Sequence, residues 1–555
     1  MARSVPENAP FRKPATRLCC PIRVLLATGG WPSGLLEVGS WAVRQPGVEV
    51  AILGIDNDDH GALKKKLRSW RPHVVGFRVE GEPFGPIRQW VKTVRQLSRA
   101  EIVLGGPTAT SHPIDLLEWS GADYVFAGEA EETFAQFLEL ARQPNSRDLL
   151  PLVPGVAYRF GGSVYHNTLP GDGFGLSLLD AGIECDISVS CLRNAIRPIA
   201  SRETLADCRL DWSVLEGFER PFDSLYFTGG RGCPGSCSFC ANLHGKQVRI
   251  KSAEQLFEEI ERADACVAEG RLQVTRWPLF AHVDDDAVRQ REVAWVAIYD
   301  EDFFLSVPRA IEFFELWSRS ALSERYRISL QTNPCSLLSK GGVVHSELLH
   351  WIDRVKPMVQ LGAESFNSVL LGRWHKRHDL EQLNVVLDSL DSTRQDYTVF
   401  QLLTDFDTTA GELIETLRLL ILAGFARPRM RIASSPYTIP LYDSDIRRSL
   451  EFSGRLLRER VGDFRDYERP HPEWMEPLVA ELADVADERL HWALNAETRD
   501  GALLETMLVV VQCLEELAPG ERSDRNELLA QARAAEEEIR EGAYYGPVRG
   551  GGRSR

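Results

Sequence analysis

The sequence predicts an α/β protein in three parts: an N-terminal doubly wound parallel sheet, a partial (β/α)6 TIM-like barrel and a helical C-terminal domain. Two series of short apolar strands alternating with amphipathic helices predict the first two parts, because that rhythm buries both faces of a parallel sheet. Charged segments of helical period past residue 440, with no strand signal, predict the third. At 555 residues the chain has room for two to four domains with their own cores.

The first series opens with "IRVLLAT" (22–28), which runs into "GGWPSG" and a helix reaching Gln45. "VEVAIL" (48–53), the helix "ALKKKLRSW" and the strand "HVVGFRV" (73–79) follow. "PIRQWVKTVRQLS" leads to "EIVLGG" (101–106), "DLLEWSG" leads to "DYVFAG" (123–128), and the helix "EETFAQFLELARQ" closes the unit. In such sheets ligands bind beyond the carboxyl ends of the strands. Here those ends carry Gly29 and Gly30, Gly105 and Gly106 before Pro107, and Gly128 before Glu129. Glycine lets a bulky ligand approach the backbone, and it equally serves a tight βα turn. The sequence leaves both readings open.

A less regular connector contains "PGVAYRFGGSVYHN", a hairpin signal. The second series has six strands: "SLYFTGGRGC", "EVAWVAIYDEDFF", "YRISLQTNP", "MVQLGAES", "YTVFQLLTDF" and "RMRIASSPY", with helices between them. Six sequential βα units fit a full or partial barrel, whose site lies at the strand C-termini. The expected boundaries are a flexible segment over 1–21, the sheet domain over 22–145 and the connector over 146–222. The barrel takes 223–440, the helical domain 441–540 and a disordered tail 541–555.

Composition narrows the function classes. With 80 acidic and 64 basic side chains the net charge is −16, which argues against a general nucleic-acid binder. No apolar run reaches the roughly 18 residues of a transmembrane helix, and the N-terminus has no apolar core of signal-peptide length. Eleven cysteines, mostly scattered singly, fit a reducing, cytoplasmic setting rather than a disulfide framework. The exception is "GGRGCPGSCSFC", where Cys233, Cys237 and Cys240 fall in C-x3-C-x2-C spacing on one glycine-rich loop. Structural zinc is usually held by two separated ligand pairs, and here His244 is the only nearby candidate for a fourth ligand. An iron–sulfur cluster is the other reading, since such a loop can wrap a cubane.

The cysteine loop after the first barrel strand resembles that of the radical S-adenosylmethionine (SAM) superfamily. The resemblance implies a [4Fe-4S] cluster held by Cys233, Cys237 and Cys240, its open iron chelating SAM. It places Phe239 near adenine, Gln331 at the end of the next strand but one, and Glu364 and Ser365 of "LGAES" near the ribose and methionine ends. The upstream sheet, with "VVGFRVEGEPF", "VLGGPTATSHP" and "YVFAGEAEETF", resembles the cobalamin-binding domain of the B12-dependent members. The resemblance spans about residues 22 to 440.

One departure concerns cobalt. The D-x-H-x-x-G motif that supplies a histidine ligand in mutases is absent from "ATGGWPSG", and "DDHGAL" around His60 follows the second strand, so His60 reads as an ordinary loop histidine. Arg78 is the candidate neighbour of the lower face of cobalt. Guanidinium has no lone pair to ligate a metal but would disfavour a lower ligand. Arg78 could equally pair with Glu80 or a corrin amide. Tryptophan C2-methyltransferases of thiopeptide biosynthesis have an arginine so placed.

The implied activity is cobalamin-dependent C-methylation of an unactivated or sp2 carbon in a small-molecule or peptide natural product. SAM is the methyl source, methylcobalamin the carrier, and a flavodoxin- or ferredoxin-type protein the electron donor. The alternative is a non-methylating oxidative cyclisation or ring rearrangement by a relative. Tyr299, Asp300 and Glu301 are candidate substrate or catalytic contacts, and equally structural residues. The C-terminal helices are expected to close over the substrate.

Overall fold

The computed structural model describes residues 21–55, 60–79, 85–142, 150–160, 163–167, 205, 209–218, 220–278, 292–438, 444–454, 476–494, 498–517 and 522–544. The expected flexible N-terminal segment lies outside them except for residue 21, as do Cys19, Cys20, Cys185, Cys191, Cys208, Glu80 and the tail past residue 544. The chain divides into two compact units, residues 1–219 and 220–555.

The first unit is one mostly parallel sheet. Its strands are β1 (Ile22–Thr28), β2 (Val48–Gly54), β3 (Val74–Arg78), β4 (Glu101–Gly105) and β5 (Tyr124–Phe126). A hairpin, β6 (Val156–Phe160) and β7 (Ser163–His166), follows the five predicted strands, and β8 (Leu215–Gly217) comes last. The order is β7-β6-β5-β4-β3-β1-β2-β8. β1 to β5 and β8 run parallel, and the hairpin adds antiparallel at β5. Among the described residues six helices accompany the sheet: α1 (Ser33–Val43), α2 (Gly61–Trp70), α3 (Gly85–Leu97), α4 (Pro107–Ser111), α5 (Pro113–Ser120) and α6 (Glu131–Leu140). β1 is almost wholly buried because it lies mid-sheet, which is why it reads as a continuous apolar run.

The second unit begins with β9 (Ser224–Phe227). A small clasp, β10 (Gly230–Arg231) with β11 (Arg249–Ile250), and a short antiparallel strand, β12 (Trp277–Pro278), come before the rest of the barrel. β13 (Glu292–Ile298), β14 (Tyr326–Thr332), β15 (Met358–Glu364), β16 (Tyr397–Thr404) and β17 (Met430–Tyr437) pair in sequence order, and β9 pairs with β13. All five pairings are parallel, giving the six-stranded partial barrel. Its main helices are α7 (Ala253–Ala268), α8 (Val307–Arg319), α9 (Ser346–Val355), α10 (Ser368–Arg373), α11 (Leu380–Ser392) and α12 (Ala410–Ala426). Capping boxes start α7, α11 and α12, on Ser252, Asp379 and Thr409.

Beyond the barrel run α13 (Asp445–Phe452), α14 (Pro477–Leu490), α15 (Arg499–Glu516) and α16 (Arg525–Tyr544). α14 packs against β17, where Tyr437 donates its hydroxyl to the Ala480 carbonyl at 3.3 Å, and α15 and α16 pack against α12. Among the described residues β17 pairs only with β16, so its other edge needs covering, and α14 supplies that cover. No helix among the described residues is long and apolar enough to cross a membrane.

Candidate active site

In the first unit β1 and β3 lie side by side, with β2 on the far side of β1, so the winding direction reverses between them. Such a reversal opens a crevice at the strand C-termini. Gly29 and Gly30 stand exposed after β1, the Gly30 N–H donating to Thr28 Oγ1 at 3.0 Å. Arg78, half-buried at the end of β3, donates from Nη1 to the Trp31 carbonyl at 2.9 Å. It therefore ties the two crevice loops together.

Among the other strand-end glycines, Gly106 is required by local packing. Gly106 has φ 110°, and a Cβ there would stand 2.7 Å from the Val79 carbonyl oxygen. A side chain is excluded by the neighbouring strand, whatever lies beyond it. Pro107 then starts α4. A Cβ on Gly105 would lie 4.0 Å from the Phe126 carbonyl oxygen, an ordinary contact, while Gly128 donates to Thr110 Oγ1 at 3.0 Å and Glu129 is buried. His60 is not an ordinary loop residue: it is buried at the head of α2, with Nδ1 3.0 Å from Thr93 Oγ1 of α3.

The second unit shapes the cysteine loop in detail. Asp300, beyond the end of β13, accepts the N–H groups of Gly229 (2.6 Å) and Gly230 (2.8 Å) and pairs with Arg309 at 3.1 Å. Both oxygens are occupied and the side chain is buried, so Asp300 is a clamp on the loop entrance and not a substrate contact. The Cys233 N–H donates to the Gly245 carbonyl (3.1 Å) and Asn242 Nδ2 to the Cys233 carbonyl (3.0 Å). The Gly235 N–H approaches Cys233 Sγ at 3.4 Å. A Cβ on Gly235 would lie 3.3 Å from Cys233 Sγ and 3.8 Å from Cys237 Sγ, so the bare glycine keeps open a cradle between two thiols.

Burial raises the Cys237 and Cys240 thiols above the ordinary range; Lys376 opposes the rise. Cys240 keeps surface access, yet enough protein surrounds its sulfur for desolvation to dominate. Among the described residues no three His, Cys, Asp or Glu side chains converge as on a single metal ion. His244 instead turns Nε2 toward Glu301 Oε1 at 3.9 Å. Three spread thiols around a glycine cradle fit a cluster better than a closed mononuclear site.

The segment "LGRWHK" (371–376), which carries no metal-ligand or catalytic spacing of its own, supplies the loop's floor. Ser238 N–H donates to the Trp374 carbonyl at 3.1 Å. The Phe239 ring meets Trp374 edge-on at 6.1 Å, and the Lys376 ammonium lies 5.9 Å from its centroid. Lys376 Nζ pairs with Glu364 Oε1 at 3.3 Å, both largely buried. Asp405 anchors the segment by accepting from Arg373 (3.0 Å) and Trp374 Nε1 (2.8 Å). Signals for these contacts were weak in the sequence, since Asp405 lies 32 residues beyond Arg373 and the cysteine loop more than a hundred before it.

The remaining predicted residues divide. Glu364 ends β15 with φ 65°, in the left-handed region, and Gln331 is half-buried on β14. Ser365 is fully buried and its hydroxyl accepts the Asn367 N–H at 3.0 Å. Tyr299 is half-exposed and stacks on Tyr226 at 5.2 Å and 8°. Asp302 is buried, accepting from Thr332 (2.7 Å) and Ser336 (2.6 Å), and burial raises its carboxyl.

Residues 33–138 match the B12 binding domain family. The fold is similar to the cobalamin-dependent SAM radical enzyme OxsB solved with aqua-cobalamin and SAM: TM-score 0.58, 13% identity, covering 93% of this chain and 71% of that one. It is similar also to the radical SAM methyltransferase TsrM from Kitasatospora setae with cobalamin and a [4Fe-4S] cluster bound: TM-score 0.56, 16% identity, 93% and 99% covered. Over 234 residues the sequence is 27% identical to the hopanoid C-3 methylase of Methylococcus capsulatus, a stretch that is 41% of this chain and 39% of that protein. The chain shares the fold of these two solved enzymes over more than nine-tenths of its length.

Proposed function

We propose that the chain is a cobalamin-dependent radical SAM C-methyltransferase, moving a methyl group from SAM to an unactivated or sp2 carbon of a small-molecule or peptide natural-product precursor. The observation that carries this reading is the union, in one chain, of a B12 binding domain with a cradle between cysteine thiols after β9. The names of two relatives, a hopanoid methylase and the methyltransferase TsrM, favour methylation over cyclisation.

Cys233, Cys237 and Cys240 would hold a [4Fe-4S] cluster, with Asp300 and Asn242 fixing the loop around it. Phe239, Gln331 and Glu364 would line the SAM site. Gly29, Gly30 and Arg78 would face cobalamin at the crevice of the first unit. When bound, these cofactors supply one-electron reduction and methyl transfer. Arg78, held by the Trp31 carbonyl, would put a cation there that cannot ligate cobalt. Tyr299 offers an exposed aromatic face for substrate. An external flavodoxin- or ferredoxin-type donor would supply electrons.

The test is anaerobic reconstitution with iron, sulfide and cobalamin, followed by isotopically labelled SAM and a substrate panel beginning with tryptophan, the substrate bound to TsrM. Labelled methyl in product together with S-adenosylhomocysteine supports the proposal. 5′-Deoxyadenosine with an unmethylated, rearranged product would support the cyclase alternative. Protein that retains neither iron nor cobalamin would overturn both.

A further inference from the structure

Lys376 is a buried cation with more donor capacity than its visible partner uses. Its side chain is 3% exposed, and among the described residues Glu364 Oε1 at 3.3 Å is its one protein acceptor. An ammonium has three N–H donors, and burying one with donors unused is costly. The pair is also built with some care. Gly362 leaves the space, since a Cβ there would meet Glu364 Oε1 at 2.9 Å and stand 3.9 Å from Lys376 Nζ. Glu364 adopts a left-handed backbone, at φ 65°, to end the strand where it does. On its other side the ammonium lies 5.9 Å from the ring of Phe239, the residue immediately before Cys240.

We propose that Lys376 is a positioning residue for electron entry: its buried ammonium offsets the negative charge of the thiolate-held cluster and raises the cluster's reduction potential, while Glu364 trims that effect. The inference rests on the cluster reading above. A cubane in its 2+ state bound by three thiolates carries a net charge of about −1. One-electron reduction makes it about −2, and a nearby cation stabilises the more negative state through a poorly screening interior. The ammonium acts through the cluster and needs no contact with substrate.

The experiment is a redox titration of the reconstituted full chain, followed by electron paramagnetic resonance without SAM, with iron counted per chain. Lys376→Met is expected to lower the midpoint, so that at a fixed applied potential the reduced-to-oxidised ratio falls about tenfold, about 59 mV for one electron. Lys376→Arg is expected to restore it. Glu364→Gln is expected to shift it the opposite way, upward, which mere damage to the site would not do. Shifts of the same sign in K376M and E364Q, or no shift in iron-loaded K376M, overturn the proposal. If K376M holds no iron, E364Q decides: an upward shift supports the proposal and an unchanged midpoint overturns it. An unmoved SAM-free midpoint with weakened SAM binding in K376M would make Lys376 a holder of the SAM carboxylate and overturn the tuning role. Wild-type protein that binds no iron would instead defeat the cluster reading itself.

Discussion

The carboxylate of Asp300 accepts the backbone N–H of Gly229 at 2.6 Å, across the junction between the second barrel strand and the entrance to the cysteine loop. The same oxygen takes Gly230 N–H, and the other pairs with Arg309, whose side chain is 6% exposed. Asp300→Asn keeps the shape but leaves Arg309 buried without its counter-ion. The expected cost is about 3–5 kcal/mol, as for breaking a buried pair. Urea denaturation should show it, and iron retained per chain should fall in parallel.

Gly232 opens the cysteine loop at φ 88°, and a Cβ there would lie 2.3 Å from the Gln247 carbonyl oxygen. Gly232→Ala is expected to cost about 1–3 kcal/mol from the backbone conformation alone. The collision would add to that and pry the β10–β11 clasp apart. Iron content after reconstitution should drop toward that of the variant with alanine at Cys233, Cys237 and Cys240.

His378 is buried beside the "GAES" strand end, with Nε2 3.1 Å from the Ala363 carbonyl and Nδ1 without a hydrogen-bond partner. Burial, and then Lys376, lower it to about 4. The folded value lies below the unfolded 6.5, so the unfolded chain binds the extra proton first. Its contribution to stability is therefore complete above pH 6.5 and is lost as pH falls toward about 4. His378→Gln, which can still donate to Ala363, removes this dependence. The stability difference between wild type and variant should shrink on acidification by up to about 1.4 kcal/mol per pH unit, read from urea midpoints at each pH.

Arg499, at the head of α15, donates from Nη1 to the carbonyls of Gly424 (2.8 Å) and Arg427 (2.9 Å) at the end of α12. Arg499→Ala strands buried carbonyls and should cost about 2–4 kcal/mol. Arg499→Lys should fall between, since a point donor cannot reproduce the planar fork. Iron and cobalamin per folded chain should stay unchanged, because Arg499 bonds carbonyls at the end of α12 rather than the cysteine loop. Thermal unfolding with metal analysis checks both.

The order of strands was legible because each of β1, β3, β13 and β15 carries its own apolar pattern, and parallel connections leave few topologies open. The hairpin β6–β7 was also readable, from its glycine pair. The cysteine loop announced itself by spacing alone. Individual roles were less visible. Asp300, Glu301 and Asp302 look equivalent in "YDEDFF", yet one clamps glycine amides, one faces His244 and one is buried under Thr332 and Ser336.

The sequence by itself determined that a parallel sheet precedes a partial barrel, and that three thiols share one loop between them. Local pattern is enough for both, because period and spacing are properties of neighbouring residues. Only the tertiary structure decided what surrounds those thiols. Lys376 and Glu364 lie more than a hundred residues beyond Cys237 in the chain, and their meeting with the loop depends on strand register and on Asp405 anchoring the segment between. The charge of the site is set by folding, since a buried field depends on distances that no spacing rule encodes.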